Sequence, residues 1–300
     1  MTLRSPLVPA LMRAGGIALA CLLAASCAID GENRVAQSGH PTIVSLNPCT
    51  DAILADVAAP GQLLAISHYS KDPASSSMDA ALARRFRATS GSVEEVAMLA
   101  PDVVVAGSFL APATRQALTD LGIRVVTLPI ATDIAASQAQ VVELARLTGN
   151  PAAGQELVRR IEASLEAAAP PEGAKPVPAL VWEAGGIVAG DGTLIADMLQ
   201  RTGFTNAAAA RGLSQADFLP LERVVADPPR VIFAVGNAHS EEDRMLRHPA
   251  IRTLKGTDRV PLEGSLLWCG GPTIPRTLEK LARERDRLAS RASSPRVTGT

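Results

Sequence analysis

The chain has few of the features that mark nucleic-acid-binding proteins or common enzyme classes. Its 29 Lys and Arg are balanced by 30 Asp and Glu, so no net positive charge attracts a phosphate backbone. It has no Gly-x-Ser-x-Gly elbow, no phosphate loop ending in Lys-Ser/Thr and no His-Glu-x-x-His. Gly185-Gly186 and Gly190-x-Gly192 lack the spacing of a dinucleotide-binding loop. We therefore predict no nucleic-acid partner, no enzyme and no cofactor.

Aromatic side chains are scarce, and their placement is uneven. The chain has five Phe, two Trp and one Tyr. Half of these eight residues fall where predicted strands end: Tyr69, Phe109, Trp182 and Trp268. This concentration favours a pocket lined by flat side chains, which suits a large ligand with apolar faces. The alternative is that these aromatic residues cap the core of each lobe.

Histidine is also scarce, which bears on a metal site. None of the four histidines forms a close pair, so a zinc site would need ligands from distant loops. His68 and His239 each follow a predicted strand and could meet in a cleft, although an isolated loop histidine is more often solvated. We predict no metal site. A zinc or manganese receptor stays open as an alternative function, and a secreted α/β enzyme is a less favoured one.

The N-terminal segment has the pattern of a secretory signal. Arg4 and Arg13 precede an uncharged, small and apolar stretch at 14–26, shorter than the roughly 20 residues that span a bilayer. Leu23-Ala24-Ala25-Ser26-Cys27 is similar to a bacterial lipoprotein cleavage box, which would leave a lipid on Cys27. Otherwise a peptidase would cut near Ala28. Both routes predict a mature protein outside the cytoplasmic membrane.

Two stretches of the chain, residues 93–106 and 221–234, have nearly the same pattern. Each begins with a short amphipathic helix that carries an early glutamate, Glu94 or Glu222. A proline follows, and then a continuous apolar run of the kind found in strands buried on both faces. The repeat predicts two similar α/β lobes, although two unrelated helix–strand units could also resemble each other by coincidence.

Strands and helices alternate in both halves of the chain, and the middle is helical. Strands are predicted at 43–46, 63–66, 103–106, 125–128, 179–182, 231–235 and 259–262. Helices are predicted at 50–57, 80–86, 113–121, 134–147, 151–169, 193–202, 241–247 and 275–288. The pattern predicts an α/β fold of two similar lobes with parallel sheets, joined by one long connecting helix, with a ligand cleft between the lobes.

The same pattern gives the predicted segment boundaries. These are a signal peptide at 1–27, a flexible tether at 28–40, an N-terminal lobe at 41–130, a helical connector at 131–170, a C-terminal lobe at 171–289 and a disordered tail at 290–300.

Ligands of open parallel sheets bind beyond the carboxyl ends of the strands, which identifies candidate contacts. The residues predicted to bind the ligand are Asn47, His68, Tyr69, Ser108, Phe109, Trp182, Asn237 and Trp268. Cys49 and Cys269 are the two cysteines of the predicted mature fold. In an oxidising compartment they could form a disulfide, but spacing alone does not decide between a bond and two free thiols.

Four segments together resemble the substrate-binding proteins of ABC importers for iron complexes and cobalamin. They are Ile43-Val44-Ser45-Leu46-Asn47-Pro48-Cys49-Thr50-Asp51, Glu94-Glu95-Val96 before Pro101-Asp102, Leu219-Pro220-Leu221-Glu222, and Leu267-Trp268-Cys269-Gly270-Gly271-Pro272. The resemblance extends from about residue 42 to residue 288. It implies two lobes joined by a rigid helix, and therefore small lobe motion.

The resemblance also implies partners and a ligand class. Glu94 and Glu222 would dock onto arginines of a permease dimer that works with an ATPase. The alternative is that both are ordinary acids favoured at helix N-termini by the helix dipole. The ligand would be a metal chelate: cobalamin slightly ahead of a ferric siderophore, with haem as a third option in which Tyr69 could be an iron ligand. Contact with the membrane would come only through a lipid anchor or the permease.

Overall fold

Two α/β lobes form the described part of the chain, which in this computed structural model comprises residues 40–236 and 248–293. The predicted signal peptide, Cys27, nearly all of the predicted tether, the predicted helix at 241–247, Asn237 and His239 lie outside the described residues. So do residues 294–300 of the predicted tail. Within the described ranges, no helix combines the length and apolar character needed to cross a membrane.

The first lobe contains a five-stranded, fully parallel sheet with strand order β3-β2-β1-β4-β5. Its strands are β1 (Ile43–Ser45), β2 (Leu63–Ser67), β3 (Ala88–Thr89), β4 (Val103–Gly107) and β5 (Arg124–Leu128). Its helices are α1 (Pro48–Val57), α2 (Ala80–Arg84), α3 (Val93–Leu99) and α4 (Pro112–Asp120). The central strands β1 and β4 are buried at nearly every position, because helices cover both faces of the sheet. The first lobe thus confirms the predicted parallel α/β pattern.

The predicted helical connector contains both helices that the periodicity indicates, and the longer one leads to the second lobe. Helix α5 (Ile134–Leu147) begins at Asp133, which caps it, and α6 (Pro151–Ala168) begins at Asn150, with Pro151 in its first turn. Gly149 has φ 71°, a left-handed conformation that favours glycine and lets the chain turn between the helices. Periodicity indicates both helices but not their close packing, which depends on the absence of a side chain at Gly154: a Cβ there would lie 2.4 Å from the Ala145 Cβ.

The second lobe differs from the predicted parallel arrangement because its sheet is mixed. Its strands are β6 (Val177–Glu183), β7 (Ile187–Val188), β8 (Phe204–Asn206), β9 (Asp217–Phe218), β10 (Val231–Val235) and β11 (Asp258–Leu262). β8, β10 and β11 continue the parallel arrangement with β6, whereas β7 and β9 add two short antiparallel pairings. The described helices are α7 (Leu194–Arg201), α8 (Leu221–Ala226), α9 (Pro249–Arg252) and α10 (Ile274–Ser293).

The repeated sequence pattern corresponds to a repeated structural unit. In the first lobe, α3 leads through Pro101 into the buried strand β4. In the second lobe, α8 leads through Pro228 and Pro229 into the buried strand β10. Both runs are buried on both faces, as their continuous apolar character predicts.

The closing helix α10 fastens the second lobe to the connector. It packs along α6, and Arg285, which is 8% exposed, lies where α6, α7 and α10 meet. The Arg285 guanidinium donates to the carbonyl oxygens of Ala168 and Thr202 at 2.7 and 3.1 Å, which are C-terminal groups of α6 and α7. A buried cation is stable there because helix C-termini present partial negative charge and free acceptors.

A disulfide fixes the segment before α10 to the first lobe. The structure joins Cys49, in the first turn of α1, to Cys269, with Cα atoms 5.0 Å apart. Around this bond, the Cys269 backbone N–H donates to Ser77 Oγ at 3.1 Å, and the Gly271 N–H donates to Ser137 Oγ at 2.8 Å. The segment that follows the second sheet is therefore held on the first lobe and on α5 by one covalent bond and two hydrogen bonds.

Removal of this disulfide should lower the stability of the protein. The bond joins residues 220 positions apart, and a crosslink that closes a long loop restricts the unfolded chain, typically by about 2–5 kcal/mol of stability. A Cys49→Ser/Cys269→Ser variant should therefore unfold at lower denaturant concentration than the oxidised wild type. Reduced wild type is the control and should behave like the variant. Identical midpoints for oxidised wild type and variant would contradict a stabilising role.

Candidate ligand-binding cleft

A cavity of about 540 Å³ opens between the two lobes, at the carboxyl ends of several strands. This is where ligands of open α/β sheets bind, and the volume lies in the range of small-molecule sites. Its walls come from both lobes and from the segment before α10. The lining residues used below are Asn47, Ser108, Phe109, Ile130, Glu183, Ile187, Gln215, Trp268 and the disulfide pair Cys49 and Cys269.

Asn47 is held against the first-lobe sheet by two constraints. Its Oδ1 accepts from the backbone N–H groups of Cys49 and Thr50 at 2.9 and 3.4 Å, so Asn47 caps α1. Its Nδ2 lies against Gly107, where a Cβ would be only 2.8 Å away. The glycine at the end of β4 therefore allows the amide to lie flat at the cavity wall.

Exposed apolar side chains dominate the mouth of the cavity. Phe109 is 83% exposed and Trp268 is 45% exposed, and Ile130 and Ile187 are also large exposed side chains that line it. The Trp268 indole lies beside Gly264, where a Cβ would approach Nε1 to 3.2 Å. Each Å² of apolar surface that a ligand covers contributes about 25 cal/mol, so these residues favour a ligand with extended apolar faces.

Trp182, which the sequence predicted as a ligand contact, lies instead in the core of the second lobe. It is fully buried in a cluster with Leu180, Val188 and Val224, and its indole Nε1 has no hydrogen-bond partner among the described residues. Because side chains alternate along a strand, Leu180 and Trp182 point to one face of β6. The next residue, Glu183, reaches the cavity.

Two other predicted contacts, His68 and Tyr69, do not line this cavity. They begin a short 3₁₀ helix after β2, with ring centroids 4.1 Å apart, and Tyr69 is 55% exposed. The His68 Nδ1 lies 3.3 Å from the Thr89 carbonyl oxygen. Of the eight predicted contacts, the cavity therefore brings together Asn47, Ser108, Phe109 and Trp268. Among the described residues, no three His, Cys, Asp or Glu side chains form a group that could hold a metal ion.

Glu183 is a cavity residue that the sequence analysis did not select. Its carboxylate lines the cavity at the end of β6, and desolvation by burial raises its pKa. A possible signal was present in the sequence: an acidic residue directly after a buried apolar run lies at a strand end, where polar residues often serve a ligand. The sequence analysis selected the neighbouring Trp182 instead.

Glu94 and Glu222 are both exposed in the first turns of α3 and α8. The adjacent Glu95 has a different environment, because its carboxylate accepts from Ser90 N–H and Thr89 Oγ1, while Ser92 Oγ accepts from Glu95 N–H. This capping arrangement explains Glu95 within the fold. No hydrogen bond or ion pair to other described residues engages Glu94 or Glu222.

A sequence model of the periplasmic binding protein family matches residues 43–257. Solved structures with the same fold include the periplasmic haem-binding protein RhuT from Roseiflexus sp. RS-1 in apo form, at 20% identity and a TM-score of 0.66, over 85% of this chain and 100% of that one. The periplasmic haem-binding protein HutB of Vibrio cholerae matches at 18% identity and a TM-score of 0.66, over 81% and 98%.

The periplasmic vitamin B12-binding protein BtuF of Vibrio cholerae matches at 19% identity and a TM-score of 0.60, over 84% and 98% of the two chains. No curated protein matches the chain significantly. At these identities, the likeness to the solved structures concerns the fold.

Behind the first-lobe wall of the cavity, Asp51 is a fully buried acid in α1. Its Oδ2 accepts from the Ser67 N–H at 2.9 Å and from the Ser70 hydroxyl at 2.6 Å, which ties α1 to the chain after β2. Its Oδ1 has no partner among the described residues. Burial, opposed by these hydrogen bonds, raises the pKa of Asp51 to about 8, so the folded protein holds a neutral acid at neutral pH.

Asp51 should therefore make the protein less stable as pH rises. Between the ordinary carboxyl pKa and about 8, the folded state holds a proton that the unfolded state lacks, so stability falls across this window. Asp51→Asn keeps an acceptor for Ser67 and Ser70 and removes the titration. At pH 8.5 the variant should exceed wild type in unfolding free energy by at least about 1.4 kcal/mol, the value of one pKa unit.

At pH 3 the two proteins should have similar stability, because Asp51 is then neutral in the folded state and largely neutral in the unfolded state. Urea unfolding at both values measures the difference. A parallel pH dependence for wild type and Asp51→Asn would contradict the assignment.

Proposed function

The chain belongs to the periplasmic binding protein family, and from that premise we propose that it is an extracytoplasmic receptor that captures a metal chelate and delivers it to an ABC import permease. The family and the similar solved structures are binding proteins. The proposal therefore has the ligand leave the cleft chemically unchanged.

The observation that carries this proposal is the two-walled cavity with exposed aromatic side chains. Phe109 from the first lobe and Trp268 from the segment before α10 offer flat apolar surface on a cavity that both lobes line. Macrocyclic and siderophore chelates have large apolar surfaces that such residues cover. Cobalamin, ferric siderophores and haem are the candidate ligands, and the similar structures include proteins named for haem and for vitamin B12.

The proposed location is outside the cytoplasmic membrane, with Cys27 as the proposed site of lipid attachment. The proposed partner is a permease dimer with its ATPase. Glu94 and Glu222 support this partner, because one free glutamate in the same place on each lobe matches the two equivalent surfaces of a symmetric dimer. Exposed pairs of this kind contribute about 0.2–1 kcal/mol each, so they steer and orient the complex more than they hold it.

A binding screen tests the receptor role and the aromatic wall together. Mature wild-type protein is titrated with cyanocobalamin, haemin and ferric siderophores and followed by visible absorbance and thermal shift. At least one chelate should bind with one-to-one stoichiometry. The Phe109→Ala/Trp268→Ala variant should bind that chelate at least about tenfold more weakly, which corresponds to 1.4 kcal/mol or more of lost contact.

Phe218→Ala is the matched control for that variant, because Phe218 is an exposed aromatic residue of the second lobe that does not line the cavity. Its affinity should equal that of wild type. Equal losses in the control and in the cavity variant would show that aromatic truncation acts through folding rather than contact. Failure of every chelate to bind wild type would count against the receptor role.

The docking assignment is tested separately from ligand binding. A Glu94→Ala/Glu222→Ala variant should keep wild-type affinity for the chelate and lose most uptake when reconstituted with its permease and ATPase. Glu162→Ala/Glu166→Ala removes two exposed α6 glutamates without hydrogen bonds to described residues and serves as the control. Normal uptake by the Glu94/Glu222 variant would remove the docking assignment while leaving the receptor role intact.

A further inference from the structure

Glu183 is placed differently from the acidic residues Glu95 and Asp51 described above. It ends β6, opposite Val235 of β10, and it lines the cavity. No described residue donates a hydrogen bond to its carboxylate or forms an ion pair with it. The Glu95 carboxylate, by contrast, accepts from the Thr89 hydroxyl and the Ser90 N–H before α3, and Asp51 accepts two internal hydrogen bonds. Within the described part of the chain, the Glu183 carboxylate therefore keeps its capacity to accept hydrogen bonds from a ligand.

The surroundings of Glu183 make an unpaired charge costly. The second-lobe wall of the cavity also presents Ile187, Ala189 and Leu194, and these apolar side chains replace water near the carboxylate. A partly desolvated carboxylate without a partner is disfavoured, and a hydrogen-bond donor or a cation on a ligand compensates this cost. The raised pKa of Glu183 is the sign of this desolvation.

Glu183 supplies the charge that the described residues give the cavity wall. Among the described lining residues there is no Lys, Arg, His or Asp, and the other polar groups are neutral: Asn47, Thr50, Ser108, Gln140, Thr193 and Gln215. A ligand that presents a carboxylate at the second-lobe wall would meet a like charge at low dielectric. A ligand that presents an amide N–H or an ammonium would meet a waiting acceptor.

We propose that Glu183 contacts the bound chelate and selects for one that presents a hydrogen-bond donor or a positive charge at the second-lobe wall, against chelates that present a carboxylate there. This inference rests on the proposed receptor function and deepens it. Glu183 is then a specificity-determining residue. The preferred chelate is neutral or cationic where it meets the second-lobe wall, and it presents hydrogen-bond donors there.

The test uses three probes that differ in the charge at their edge. Ferrioxamine B carries a pendant ammonium, cyanocobalamin carries neutral carboxamides, and haemin carries two carboxylates. Each is titrated into mature wild-type protein, Glu183→Gln and Glu183→Lys. Glu263→Gln is the control. Glu263 is an exposed acid just after β11 that lies outside the cavity, and its substitution changes the net charge by the same amount as Glu183→Gln does.

Wild type should bind ferrioxamine B or cyanocobalamin at least tenfold more tightly than haemin. Glu183→Gln should weaken the preferred probe by tenfold or more, and Glu183→Lys should weaken it further and bind haemin more tightly than wild type does. Glu263→Gln should reproduce the wild-type order. Thermal unfolding of each variant, within a few degrees of wild type, excludes a folding defect as the cause.

Three results would overturn the inference, and they separate it from the receptor role. If a probe binds and its affinity changes less than twofold in Glu183→Gln and Glu183→Lys, Glu183 is not a contact, while the receptor role stands. If haemin is the tightest probe and Glu183→Gln weakens it, the selectivity has the opposite sign. If no probe binds wild type, the proposed function fails and the inference fails with it.

Discussion

The rigid join between the two lobes is the constraint on which the cleft depends. Each sheet alone would present its carboxyl edge to solvent, and a cavity exists only because the two edges are held near each other. A single apolar cluster extends through both lobes and the connector: it contains Ile43 and Val105 of the first sheet, Leu157 of α6, and Phe233 of the second sheet. A large rotation of one lobe against the other would break this cluster, so the packing favours small motions of the lobes.

The disulfide adds a covalent part to the same join. Cys49 and Cys269 line the cavity, Cys49 two residues after Asn47 and Cys269 directly after Trp268. The bond therefore constrains the relative positions of the backbone at Asn47 and at Trp268, two residues of the cavity wall. Preorganisation of this kind lowers the entropy that ligand binding must remove, because side chains of the wall are already ordered. The connector limits the motion of the lobes, and the disulfide limits the motion of the cavity wall.

The sequence predicts the long helices and strands of this fold well, and its short strands and its disulfide poorly. Helix α5 and strand β10 have the bounds that their periodicity indicates, since their apolar residues face a core on one side or both. The short strands β7 and β9 have two residues each, too few for any period. They are formed by pairing with β6 and with each other, a tertiary effect that local pattern does not contain. Local pattern does not decide the disulfide for the same reason, because the bond depends on where segments distant in the chain meet in the fold.

The candidate site shows how sensitive such a prediction is to a shift of one residue. Trp182 and Glu183 are adjacent at a strand end, and a strand directs adjacent side chains to opposite faces. The sequence identifies the strand end but not which face α8 covers, so the prediction selected the buried tryptophan over the acid that lines the cavity. Phe109 and Trp268 lie in loops that follow strands, where the alternation of side chains does not apply. Both were selected as ligand contacts, and both line the cavity.

Acidic residues in this chain divide by whether the fold uses their hydrogen-bonding capacity. Asp51 and Glu95 accept bonds from backbone and hydroxyl donors, and both therefore serve the structure. Glu94, Glu222 and Glu183 have no such partners among the described residues, but their settings differ. The first two are exposed, where water screens a charge and its contribution is orientation and encounter rate. Glu183 is partly desolvated, where the same charge acts more strongly on whatever enters the cleft. Under the proposed function, the screened charges outside the cleft would suit a partner that is released after delivery, and the partly desolvated charge in the cleft would suit selection among ligands.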